Sequence, residues 1–488
     1  MSFISLSFML FFPIVTIGYF LLPHRFRWMW LLLASCIFYM AFIPAYILIL
    51  FGLIVVDFVM AILIERSQGS ERTYFLLVSI VAMVGTLVIF KYFNFLNSNI
   101  YALTHMLGIP YAGAVLSLAL PIGLSFHTFQ SLSYVIEVYR GKQKAERHFG
   151  IYALYVMFYP QLVAGPIERP QQFLYQFYDK HQFEYNRVKT GLVRMGWGFF
   201  KKMAVADNLA LIVNPAYAHP GDYAAPALLV ASICFTLQLY FDFSAYCDIA
   251  LGAAQVTGFT LMENFDRPFI STSIAEFWRR WHISLSSWFR DYFYYPLVLS
   301  QKRVTWAKIQ LAVLFTFLVT GFWHGANWTY GIFGLLQGAY IVIGSMTQKI
   351  RGTITHTVGL TRVPKLHKAL QITIVFLLFM TACIFFRAQT VYDAWYILTH
   401  IIGSGMVSLQ PGYWLQSLQT TGAVYTLAIS AALSIFIFMC EYWGRNGGLF
   451  VTLARQNVFV RWGFYYAILY LILVLYTGTS NQFIYFQF

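Results

Sequence analysis

Apolar runs of about 20 residues recur along nearly the whole chain, parted by short polar connectors. A helix needs roughly 20 residues to cross about 30 Å of hydrocarbon, so the pattern predicts about ten to twelve spans with shorter helices between them. The first run, Phe3 to Leu22, has no basic segment before it and no small-residue cleavage site after it, and reads as a retained helix. Asn186 to Ala206 has a different pattern. Val188, Leu192, Met195 and Phe199 recur at helical spacing among Arg187, Lys189, Arg194, Lys201 and Lys202, which predicts an interfacial helix with its basic side chains reaching headgroups. Pro121, Pro160, Pro166 and Pro170 interrupt the preceding region, marking either ordinary helix ends or broken helices packed within protein or along a cavity. No Pro/Gly/Ser-rich linker or fixed-period repeat divides the chain. The expected fold is all-α: a polytopic helical bundle forming one membrane domain over residues 1–488.

The segment from Ser273 to Asp291 is too charged to cross lipid. Ser273 with Glu276 three positions later is a capping-box signature and predicts a helix start. Ile274, Phe277, Trp278, Trp281, Leu285 and Trp288 then fall within about 100° of one another on a helical wheel. Glu276, Arg279, Arg280, Ser287 and Arg290 take the other side, with His282 at the border. A continuous helix buried against a polar cavity and an interfacial helix with a tryptophan belt both fit this pattern.

Composition confirms the solvent. Of 488 residues, 59% are hydrophobic and only 10% charged, which excludes a water-soluble globule and identifies a multi-pass membrane protein. The formal net charge of +14 raises the question of nucleic acid. The basic residues, however, cluster in connectors such as His24 to Arg27, Arg140 to Arg147, Gln301 to Lys308 and Thr361 to Lys368, as expected for loops beside anionic lipid. No nucleic-acid motif accompanies them. Cys36, Cys234, Cys247, Cys383 and Cys440 are scattered through apolar stretches without CxxC spacing; they read as packing residues, with neither disulfides nor a metal site expected.

His324 closes the apolar run from Leu311 to Phe322, 42 residues beyond His282. An imidazole there is either satisfied in packing or at work. Gly321 and Gly325 on either side would admit a substrate, Asn327 supplies an amide, and Trp323 and Trp328 would exclude water. A neutral histidine in such a place suits general-base work on a hydroxyl.

The stretch Glu276-Phe277-Trp278-Arg279-Arg280-Trp281-His282-Ile283-Ser284-Leu285-Ser286, followed by Phe322-Trp323-His324-Gly325-Ala326-Asn327, resembles the membrane-bound O-acyltransferase superfamily in its bacterial alginate O-acetyltransferase branch. Leu162-Val163-Ala164-Gly165-Pro166, Tyr240 to Ser244, Glu263-Asn264-Phe265 and Phe385 to Ala388 match in the same order, placing a motif-rich core at about residues 85–400. The resemblance implies a central tunnel-like cavity in which a cytoplasmic thioester meets an acceptor from the other membrane face. His324 and His282 take the places of the branch's two histidines. His324 is then the catalytic base, while His282, with Asn327 or nearby indole N–H groups, positions substrate or stabilises the oxyanion. Trp323, Asn327, Trp281, Arg279 and Arg280 are the expected substrate contacts, the arginines facing donor phosphates or pairing with Glu276 and Asp291. No permanently bound cofactor is implied. The donor is acetyl-CoA or an acyl-phosphopantetheine carrier protein, and the expected partners are an extracytoplasmic acetyltransferase, an exported polysaccharide and membrane lipid, in a bacterial inner membrane. The acyl group is acetyl or D-alanyl.

Two departures bear on the acceptor. Val298 to Arg303 replaces the branch's glycine pair and following polar residues after Tyr295-Pro296-Leu297, and His127 stands where the branch carries tyrosine. Asp57, Lys91, Asp242 and Asp248 lie in or beside apolar runs. As braces they fit the acyltransferase; as a proton or ion relay they would make a transporter.

Overall fold

Hydrocarbon offers no hydrogen bonds, so a chain this apolar must pair its backbone groups within each segment, and helices do so. The computed structural model describes residues 1–113, 115–300, 303–403, 424–444, 448–478 and 483–484. Gln301 and Lys302 of the predicted basic connector lie outside them. Among the described residues, eight helices are long and apolar enough to cross a membrane: Tyr46–Arg66, Ser70–Met106, Ala225–Thr257, Trp306–His324, Trp328–Met346, Pro364–Arg387, Val424–Trp443 and Val458–Leu475. Leu6–Leu21 is apolar but has 16 residues, which leaves it short of the roughly 20 a span uses. The protein is a multi-pass helical membrane protein.

The chain forms two compact units. One comprises Met1–Met195 with Tyr246–Met262. Within it, the non-helical backbone from Phe158 to Glu168, which carries Pro160 and Pro166, is almost wholly buried. Irregular backbone is thus packed inside protein, one of the two readings the prolines left open. Its charges are braced: Ser79 Oγ donates to Asp57 at 2.5 Å, and Arg194 pairs with Asp248 at 2.9 Å. His127 is buried in the same unit.

The other unit comprises Gly196–Ala245 with Glu263–Ile484. Here the expectation for Lys201 and Lys202 is corrected. The helix Tyr185–Phe200 passes into a π-helical turn, Lys201–Ala206, and both lysines turn inward. Lys201 donates to Ser244 at 2.8 Å. Lys202 pairs with Asp207 at 2.9 Å and Asp242 at 2.6 Å. Nearby acceptors, and not lipid headgroups, therefore compensate these charges. Asp242 also accepts the backbone N–H of Ile484 at 2.7 Å.

Removing one member of a buried ion cluster strands the others, at a cost of about 3–5 kcal/mol. Asp242→Ala should therefore lower the unfolding temperature of the purified protein in detergent by several degrees. A melting temperature equal to wild type contradicts the bracing role.

Candidate active site

The site is built from six segments of the second unit. The first is the end of Trp306–His324, which places His324 in the last helical turn, 3% exposed. Its imidazole is ringed by aromatics, with centroids at 5.0 Å from Trp323, 5.2 Å from Phe386 and 5.9 Å from Phe333. Phe386 comes from Pro364–Arg387 and Phe333 from Trp328–Met346. Trp323 also reaches His282, at 6.0 Å, and the His282 ring lies edge-on to Phe243 at 4.7 Å. The two histidines thus share one indole.

The continuous helix expected over 273–291 is not observed. Ile274–Arg280 and Ile283–Phe289 are separate helices, divided at Trp281 and His282. Its start is as predicted: Ser273 Oγ accepts from Glu276 N at 3.1 Å. The Glu276 carboxylate reaches one residue further back, accepting from Thr272 N at 2.9 Å and Thr272 Oγ at 2.8 Å. The break comes from His282, whose backbone is left-handed (φ 45°, ψ 53°). A non-glycine residue there stores strain of about 1–3 kcal/mol and persists only where neighbours hold it.

The neighbours are Asn264 to Asp266. Phe265 forms an isolated antiparallel bridge with Trp281. Asp266 N donates to Arg280 O at 2.9 Å, and Ile283 N donates to Asn264 O at 3.0 Å. These bonds satisfy backbone groups that the interrupted helix cannot. Trp281 wedges beneath, 5.4 Å from Phe277 and 5.1 Å from both Phe265 and Phe379. Trp278 Nε1 donates to Gln337 Oε1 at 3.0 Å. His282 ends fully buried. Burial first, and the charge of His324 second, hold its imidazole well below the usual histidine range, so it is neutral near pH 7.

Other expected site residues have different placements. Arg280 is committed to Glu276 at 3.0 Å and Asp266 at 3.1 Å, and Arg290 to Asp291 at 2.9 Å; Arg279 is exposed. Asn327 caps the next helix: its Oδ1 accepts from Thr329 N at 3.0 Å and its Nδ2 donates to Gln389 O at 3.2 Å. Trp328 is 54% exposed and does not wall off the site as Trp323 does. The flanking glycines serve packing. A Cβ on Gly321 would overlap Tyr330 O and crowd Gly334 of the following helix, and one on Gly325 would overlap the Tyr330 ring. Asn264, Phe243 and Phe333 were not singled out as site residues from spacing, since they come from separate segments of the sequence.

Comparison with known proteins identifies the family. Residues 142–388, which include both histidines, match the MBOAT, membrane-bound O-acyltransferase family. A probable alginate O-acetylase of Azotobacter vinelandii is 34% identical over 438 residues, covering 89% of this chain and 83% of that protein. A peptidoglycan O-acetyltransferase of Helicobacter pylori is 32% identical, covering 82% of this chain and 79% of that protein. A teichoic acid D-alanyltransferase of Streptococcus thermophilus is 31% identical, covering 56% and 70%.

If Gly321 exists for helix contact, Gly321→Ala should destabilise the unit by about 1–3 kcal/mol, seen as a lower melting temperature. A variant as stable as wild type returns the glycine to substrate access.

Proposed function

We propose that this chain, which belongs to the membrane-bound O-acyltransferase family and is an O-acyltransferase, moves an acetyl group from a cytoplasmic thioester to a hydroxyl of an exported polysaccharide or cell-wall polymer. The observation that carries this reading is the pair of buried imidazoles on one indole, His324 and His282 around Trp323. Family membership supplies the reaction class, and the site supplies groups suited to it.

In this reading His324 takes the proton of the acceptor hydroxyl as that oxygen bonds to the acyl carbon. The carbonyl electron pair moves to its oxygen, then returns as the C–S bond breaks. The departing thiolate takes the proton from the His324 imidazolium, leaving ester, thiol and neutral histidine. Transfer is direct, with no acyl group carried on the chain. His282 positions the reacting groups or stabilises the oxyanion, and the aromatic wall of Trp323, Phe333 and Phe386 excludes water, strengthening every polar contact inside.

The donor is acetyl-CoA or an acyl-phosphopantetheine carrier protein. It enters a tunnel-like passage from the cytoplasm, the acceptor comes from the other face of a bacterial inner membrane, and an extracytoplasmic acetyltransferase is the expected partner there. Arg279, being exposed, is the better placed of the two neighbouring arginines for donor phosphates. The relatives named as alginate and peptidoglycan O-acetylating enzymes cover more of the chain than the D-alanyltransferase does, which favours acetyl; D-alanyl is the second reading.

Purified protein supplied with radiolabelled acetyl-CoA and candidate polymers should label the polymer. His324→Ala should reduce that labelling at least about 100-fold while keeping the wild-type melting temperature. Labelling at the wild-type rate by this variant overturns the assignment of the base, and preferential use of a D-alanyl thioester by wild type overturns the choice of acyl group.

A further inference from the structure

The clamp that holds the His282 backbone also touches its ring. Asn264 Oδ1 lies 3.3 Å from His282 Nδ1, 3.1 Å from Ser284 N and 3.0 Å from Ser284 Oγ. A backbone N–H can only donate, so the side-chain atom of Asn264 facing Ser284 N must be its oxygen. The orientation of the amide follows from this contact and is not a free choice. An amide oxygen can only accept, and the imidazole nitrogen beside it must therefore carry the proton. In a neutral ring the other nitrogen, Nε2, then holds the lone pair.

We propose that Asn264 is a positioning residue that fixes His282 as its Nδ1–H tautomer, so that His282 enters the reaction as a hydrogen-bond acceptor through Nε2. This inference rests on the acyl-transfer reading and decides between the two tasks left to His282. A neutral His282 of this tautomer has no proton at Nε2 to donate to an oxyanion. It accepts from a donor group of the substrate other than the reacting hydroxyl, whose single proton goes to His324, and so orients the substrate for attack. The backbone bond from Ile283 N to Asn264 O at 3.0 Å makes the arrangement rigid, since one residue holds the strained backbone and the ring together. The groups facing the imidazole include Asn264 and Ser284 beside it, Phe243 from Ala225–Thr257, and Trp323 and the titratable His324 from Trp306–His324.

The direct test is the ¹⁵N spectrum of full-length protein in membranes with labelled histidine, the His282 signals being assigned by their loss in His282→Gln. Wild type should show His282 protonated at Nδ1. A wild-type ring protonated at Nε2 overturns the proposal, and this reading does not depend on any variant folding. Asn264→Asp keeps the accepting oxygen and should keep the tautomer. Its carboxylate favours the imidazolium, so the acid limb of the pH–rate profile should move to higher pH. Asn264→Ala should lower kcat at least about tenfold, with the KM for the thioester unchanged. If Asn264→Asp instead loses activity with an unshifted pH profile, Asn264 is only a structural brace and the proposal fails. Failure of the underlying reading is separate, because it appears as full activity of His324→Ala.

Discussion

The site depends on one constraint: a helix cannot be broken in a dry interior unless the freed backbone groups find partners there. The chain interrupts a helix at Trp281 and His282, and it does so beside a short extended segment, Asn264 to Asp266, that supplies those partners. The left-handed backbone of His282 is affordable only with that support. Without it, the segment would relax toward continuous helix, and the imidazole would rotate away from Trp323 and His324. Placement of the histidine and satisfaction of the backbone are therefore one structural event.

Around this break the unit is held by rings and by close helix approach. Trp281 lies against Phe277, Phe265 and Phe379, so residues from three segments are locked by one side chain. Aromatic contacts of this kind add about 0.5–1.5 kcal/mol each beyond the area they bury. Gly321 and Gly334 let Trp306–His324 and Trp328–Met346 meet backbone to backbone, which brings Phe333 up to His324. Small residues at such crossings are how helices associate where no hydrophobic driving force separates them from lipid. The buried charges belong to this scaffold as well: Lys202 with Asp207 and Asp242 are neutralised in place as braces.

Much of this was legible in the residues. Run length and apolarity foretold a multi-pass helical protein, Ser273 marked its helix start, and the apolar face from Ile274 to Trp288 is the buried face. His282 and His324 were singled out from their setting and from family resemblance, and the structure buries both against Trp323. The break was not legible, because the apolar spacing runs across it unchanged: Trp281 and Leu285 stay on the core side although His282 leaves helical geometry. Nothing local announces a left-handed histidine, since its cause is a partner segment 16 to 18 residues earlier. Gly321 and Gly325 were misread as space for substrate for the same reason, the occupant of that space being Tyr330 and Gly334. The inward turn of Lys201 and Lys202 depends on a π-helical register change that composition does not encode.

The central claim is that His324 moves a proton and never carries the acyl group. A single turnover of wild-type protein with radiolabelled acetyl thioester and acceptor, quenched in denaturant at successive times, tests this most directly. Label should pass from thioester to acceptor with none retained on the denatured chain at any time. Stoichiometric label on the chain that rises and then decays at the rate of product formation would contradict it.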